Sequence, residues 1–238
     1  MRLKSLIKCH LAYLLSKSSL TIIMLIIALA VFVFASNAIS AKYNLVKENI
    51  DTYFVSSITI IKIIYCVMAS FIIANAFNSR NDSYFQLLIS SNIKKSQYFL
   101  TKLISIALLL FIIIFVLMII YILFGYLFIK GFVYEARIIS AFFSLYLIAS
   151  IYGMITCLIM ISVNNIFVFL IPSVLAITIQ EVISDKMGIG LKVIVYLFPT
   201  MNSSLNKTYY SYLTTIIWLI ALIVIDDYVY VNHDFNYE

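Results

Sequence analysis

Glycine and proline are scarce in these 238 residues, five and two of them respectively. Linkers between soluble domains draw on both, and no stretch has the composition of a disordered or low-complexity tail, so the chain reads as a single domain, 1–238. Charge is scarce as well. Only 11% of residues are charged and 64% are hydrophobic, against about 25% and roughly 45–50% in an average soluble domain. A water-soluble fold of this length cannot bury that share of apolar side chains, so the surplus must face lipid. Cys9, Cys66 and Cys157 are few and far apart. The last two fall in apolar runs, where a thiol behaves as a small hydrophobe, and neither a disulfide framework nor a metal site is indicated. The two histidines, His10 and His233, sit at opposite ends of the chain, which excludes the paired histidines of a zinc protease. No glycine-rich loop ends in Lys-Ser or Lys-Thr, so the chain has no means of its own to hydrolyse ATP and is not read as an enzyme. No carboxylate stands in the middle of an apolar run, which weighs against a proton-coupled transporter. The net charge of +6 comes from basic residues spread singly, without a stripe or a nucleic-acid motif. Anionic lipid headgroups are the expected counter-charge, and nucleic acid is not expected as a partner.

What the chain has in quantity is long apolar runs. Crossing the hydrocarbon core takes about 20 apolar residues as a helix, because no water is there to satisfy an open backbone. Six runs qualify: Leu20 to Ile39, Val55 to Ala76, Leu103 to Ile129, Ile138 to Ile161, Ile166 to Ile183 and Tyr210 to Ile225. The expected fold class is therefore all-α, a polytopic membrane protein of six spans. The first run is too long for a signal-peptide core and is expected to be retained. The break between the fourth and fifth runs is placed at Val163-Asn164-Asn165, where two amides compete for the backbone. Arg2, Lys4, Lys8 and Lys17 before the first span, with Arg80, Lys94, Lys95 and Lys102 after the second, place both termini in the cytosol by the positive-inside rule. In that topology Lys130, Arg137, Lys186, Lys192 and Lys207 lie outside, and Asp226, Asp227, Asp234 and Glu238 make an acidic cytosolic tail.

Two segments outside the spans have a pattern of their own. Leu3, Leu6, Ile7, Leu11, Leu14 and Leu15 recur at helical spacing, with Ser5, Lys8, Ala12 and Ser16 opposite, which predicts an interfacial helix over 1–18 on the inner leaflet. In the loop from Phe77 to Thr101, Ser83-Tyr84-Phe85-Gln86 has capping-box form. A short helix over 82–91 with Tyr84, Phe85, Leu87, Leu88 and Ile89 follows, too short to span and too apolar to stand bare in water. Lys62 is a lone cation well within a run. It faces protein or water, either meeting Glu181 in a polar outer vestibule or snorkelling to the surface. Pro172 removes a backbone donor inside the fifth run and predicts a kink there. Tyr196-Leu197-Phe198-Pro199 is too apolar for an ordinary outer loop and predicts a short re-entrant or interfacial element. Tyr209, Tyr210, Tyr212 and Trp218 are assigned to an interfacial aromatic belt and to packing.

These features resemble the type-2 ABC exporter permeases of bacteria, over nearly the whole chain. The resemblance is carried by the architecture and by two stretches. One runs from Ala76-Phe77-Asn78-Ser79-Arg80-Asn81-Asp82-Ser83 through Leu87-Leu88-Ile89 to Lys94-Lys95 and Lys102; the other is Phe198-Pro199. Asp82 and Ser83 stand where many members carry an acidic residue and a glycine. The Ile, Asn, Lys and Tyr bias is similar to that of permeases from low-GC Gram-positive bacteria, with lantibiotic-immunity and phenol-soluble modulin exporters as the nearest likeness. The resemblance implies a bacterial cytoplasmic-membrane permease, paired with a second copy or a sister subunit and moving a hydrophobic or amphipathic peptide. It implies a coupling helix of Ser83, Tyr84, Phe85, Leu87, Leu88 and Ile89 docked on a separate cytosolic ATPase dimer that holds ATP and Mg. Lys62, Pro172, Glu181 and Pro199 would lie along the path or its gate. The rival expectation is a stand-alone membrane immunity or scaffold protein without ATP coupling.

Overall fold

A computed structural model describes residues 3–15, 17–43, 49–78, 93–163, 165–172 and 209–232. Every regular element among them is helical. In chain order they are α1 (Leu3–Leu14), α2 (Lys17–Tyr43), α3 (Asn49–Ala76), α4 (Lys95–Phe128), α5 (Ala136–Val163), a 3-10 turn (Ile166–Phe169) and α6 (Tyr209–Asn232). Five of these helices, α2 to α6, are long and apolar enough to cross a membrane. The expected fifth run, Ile166 to Ile183, lies mostly outside the described residues.

Helices α2 to α5 run alternately up and down between two poles, and α6 runs in the same direction as α5. At one pole Arg137 at the start of α5 pairs with Asp51 at the start of α3, 2.6 Å apart, and Ser140 and Ser144 bond the Tyr212 hydroxyl near the start of α6. The end of α4 reaches the same level, since Tyr121 stacks on Tyr53 with centroids 4.6 Å apart. At the other pole the end of α3, the start of α4 and the end of α6 converge, as the Phe77–Phe99 and Phe99–Tyr230 ring contacts at 5.6 and 5.0 Å show. Helix α1 packs there on the foot of α4, where the Ser105 hydroxyl donates to the Ile7 carbonyl at 3.4 Å. The face it turns to the bundle is Leu6, His10 and Leu14, one turn apart and buried, while Lys4 and Lys8 stay exposed.

The core is centred on α3 and α5, which carry small residues one turn apart on their facing sides. Cys66, Ser70 and Ala74 line α3, and Ala149, Gly153 and Cys157 line α5, all buried. In lipid no hydrophobic drive separates helix from solvent, so close backbone approach through small residues supplies the packing energy. A Cβ on Gly153 would collide with the Ile73 side chain and lie 4.0 Å from the Ala69 carbonyl oxygen. Two tyrosines lock α3 to α4 at different heights. Tyr53 donates to the Tyr121 carbonyl at 2.9 Å and Tyr65 to the Leu110 carbonyl at 2.7 Å. The turn after α4 uses Gly131 at φ 79, a left-handed conformation that glycine adopts without strain, and folds the Phe132 ring back over Gly125.

Two boundaries depart from expectation, while the break expected at Val163-Asn164-Asn165 falls where α5 ends. α4 begins at Lys95, eight residues before Leu103, because Tyr98, Phe99, Thr101 and Lys102 all find buried places on its inner face. α6 continues past Ile225 to Asn232, because Asp226 and Tyr230 are buried one turn apart and Val229 packs on the core. α5 ends at Val163, and the Asn165 side chain accepts the Phe167 N–H at 3.0 Å to open the 3-10 turn, the local competition of Asx side chains with helix.

Candidate functional site

The residues bordering segment 79–92 form a buried junction. Phe77, directly after α3, is the last buried residue before that segment, and Tyr98, Phe99 and Lys102 lie in the first turns of α4 after it. Helical spacing puts Tyr98 and Lys102 on one face, so the Lys102 stem runs along the helix and its ammonium sits over two rings. Its Nζ is 4.7 Å from the Phe77 centroid and 5.3 Å from that of Tyr98. A desolvated cation–π contact is worth about 2 kcal/mol, which offsets part of the cost of keeping an ammonium 3% exposed. Phe77 and Phe99 both pack on Tyr230 of α6, the first edge-on at 6.1 Å. His10 of α1 meets Tyr98 edge-on at 4.9 Å. Lys95 donates to the Val231 carbonyl at 3.3 Å, and Ser96 donates to the Asp227 carboxylate at 3.0 Å. Four helices thus meet through aromatic faces and a few polar bonds immediately beside segment 79–92.

One layer deeper, α5 and α6 bring Cys157 and Asp226 together. Both side chains are 0% exposed, and the Cys157 thiol lies beside the Asp226 carboxyl and within electrostatic reach of the Lys102 ammonium. Neither Asp226 oxygen has an oxygen or nitrogen hydrogen-bond partner, and a thiol is a weak donor. This corrects the expectation that Asp226 belongs to a tail beyond the last helix. Asp226 stands six residues from the end of its helix, Cys157 six from the end of α5 and Lys102 seven from the start of α4, about 10 Å in from the ends at 1.5 Å per residue. Sequence reasoning missed it because the apolar run breaks off at Asp226-Asp227. The resumption at Tyr228, Val229, Tyr230 and Val231 was the available signal.

Of the residues singled out from sequence, Ser83, Tyr84, Phe85, Leu87, Leu88, Ile89, Glu181 and Pro199 lie outside the described residues. Lys62 is 3% exposed in the middle of α3, one turn before Cys66, whose thiol feels its charge. Its side chain is enclosed by protein. Pro172 is buried just past the 3-10 turn, which packs on α3 where Phe169 meets Phe71 edge-on at 5.4 Å. Nine residues of α3, about 13 Å, separate that contact from Lys62, so the two residues are placed along one helix and not at one point. No group of three or more His, Cys, Asp or Glu side chains is placed to hold a metal among the described residues.

The fold and these buried contacts define a polytopic helical membrane protein. No protein-family model matches the chain, and no curated protein is significantly similar to it.

Proposed function

We propose that the chain is the membrane-spanning permease subunit of an ATP-driven type-2 ABC exporter, moving hydrophobic or amphipathic peptides out of a bacterial cell or its membrane. The observation that carries the reading is the junction of Phe77, Phe99, Lys102 and Tyr230, formed where the chain enters and leaves segment 79–92. A force applied to that segment reaches the ends of α3, α4 and α6 at once, which is what a coupling helix requires. ATP can bias such a bundle only through contacts that differ between its two states, and rings packed across helices can exchange partners without opening the backbone. Tyr84, Phe85, Leu87, Leu88 and Ile89 are the docking residues for a separate ATPase dimer carrying ATP and Mg. The peptide cargo enters from the inner leaflet or the cytosol.

The distribution of charge supports a cytosolic position for that segment. Lys4, Lys8, Lys94, Lys95 and Lys102 lie at its pole, whereas the opposite pole holds Lys42, Lys130 and Arg137, with Asp51 and Glu135 beside the last. A sixth crossing is supported by the poles at which α5 ends and α6 begins, which are opposite ones. Apolar faces of α2, α4 and α6 suit lipid and a second permease copy, and the few polar groups inside suit a greasy cargo better than an ion or a sugar.

Replacing Phe85 and Leu88 with Asp tests the reading. Co-purification with a cytosolic ABC ATPase subunit co-expressed with the chain should fall at least tenfold while the permease level in the membrane is unchanged. Undiminished co-purification removes the coupling assignment and with it the exporter.

A further inference from the structure

We propose that Asp226 is a proton-binding site, and that its occupancy decides whether α6 is seated against α5. The carboxyl is fully enclosed, and both of its oxygens lack an oxygen or nitrogen partner. Buried polar groups in lipid-embedded helices are otherwise bonded or paired, and an intramembrane carboxyl without either marks a site of function. An ionised carboxylate there would be stripped of water with only a thiol to receive it. A neutral carboxyl in the same place gives up far less hydration.

Among the described residues, no basic side chain hydrogen-bonds the Asp226 carboxyl. From α5 comes Cys157, a thiol. From α4 come Lys102, Lys95 and Tyr98, with the Lys102 ammonium engaged over Phe77 and Tyr98 and the Lys95 ammonium on the Val231 carbonyl. α6 itself adds Asp227, which accepts from Ser96, and Tyr230, packed on Phe77 and Phe99. From α1 comes His10, which is turned to Tyr98, and α3 brings the ring of Phe77.

Seating and proton binding are then one equilibrium. In the seated state the Asp226 O–H bond is intact. When α6 shifts outward and water reaches the carboxyl, that O–H bond breaks, the proton passes to water, and the carboxylate keeps the electron pair. The seated state holds one proton more than the loosened one, so its share falls as pH rises, by up to about tenfold per pH unit. A bundle that seats α6 on proton uptake from its basic pole has a second input beside segment 79–92. The inference does not rest on the exporter reading, because it concerns the chain alone.

The single tryptophan of the chain, Trp218, reports the seating directly, since it lies on α6 against Ile151 and Met154 of α5 and Leu222. The full chain in lipid nanodiscs is titrated between about pH 5 and about pH 9, and the emission maximum of Trp218 is followed. The expected result is a red shift on raising the pH in the wild type and in Cys157→Ser. Asp226→Asn, the neutral isostere, should stay at the low-pH position throughout. A wild-type trace without a step, or the same step in Asp226→Asn, overturns the proposal. If Asp226→Asn fails to accumulate folded, infrared spectra of the wild type decide. The carbonyl stretch of a protonated carboxylic acid must vanish over the pH range of the Trp218 step, and its absence at the acid end refutes the site.

Discussion

Gly153 is a point of close approach between α3 and α5, and enlarging it measures how much the bundle depends on that approach. The Cβ of Gly153→Ala meets the terminal Cδ1 of Ile73, the far end of a flexible side chain, with the Ile73 Cγ1 3.6 Å away. Turning Ile73 away costs roughly 0.5–1.5 kcal/mol for an off-rotamer side chain, while replacing glycine in a helix interior returns about 1 kcal/mol. The two nearly cancel, and Gly153→Ala should change stability by less than about 1 kcal/mol. Gly153→Leu is different in kind. Its further carbons point at the Ala69 carbonyl, 4.0 Å from the Cβ position, and backbone cannot rotate away, so the overpacking should cost about 1–3 kcal/mol or more. Unfolding in mixed detergent micelles, followed by helical circular dichroism, gives both values. Ile73→Val removes the colliding Cδ1 and should relieve Gly153→Ala, with a coupling of at least about 0.5 kcal/mol in a double-mutant cycle. A Gly153→Leu chain as stable as the wild type, or strict additivity of Ile73→Val with Gly153→Ala, would refute the close packing of these two helices.

Tyr53→Phe keeps the stack on Tyr121 and loses only the bond to its carbonyl, so it should cost about 1 kcal/mol, whereas Tyr53→Ala should cost roughly 3–5 kcal/mol; the same unfolding assay separates them. Arg137→Gln breaks the pairs with Asp51 and Glu135 at an exposed site, and a stability change above about 1 kcal/mol would contradict the surface character of that cluster.

Much of the fold follows from chain physics that needs no tertiary context. Runs such as Leu103 to Ile129 admit one backbone solution in lipid, a helix with every N–H bonded internally, and the amides after Val163 end a helix wherever they occur. The small residues at Ala149, Gly153 and Cys157 were readable as a stripe for close packing. What the runs conceal is which face is which. On α4 the inner positions Leu109, Ile113 and Leu117 and the outer positions Leu108, Ile112 and Phe115 are equally apolar, because both protein and lipid are apolar surroundings, and a helix greasy all round has no amphipathic signal.

Helix ends are obscured for the opposite reason. Lys102 and Asp226 look like charges that close a span, since an isolated charge in hydrocarbon is expensive. Tertiary contacts offset part of that expense: the rings of Phe77 and Tyr98 took up the ammonium, and a thiol from α5 met the carboxyl. The sequence by itself determined that the chain is helical and lives in lipid, because backbone satisfaction is a local requirement. Which polar side chains are buried together was decided only by tertiary structure, because the partners that make their burial tolerable lie on different helices, 55 residues apart from Lys102 to Cys157 and 69 from Cys157 to Asp226.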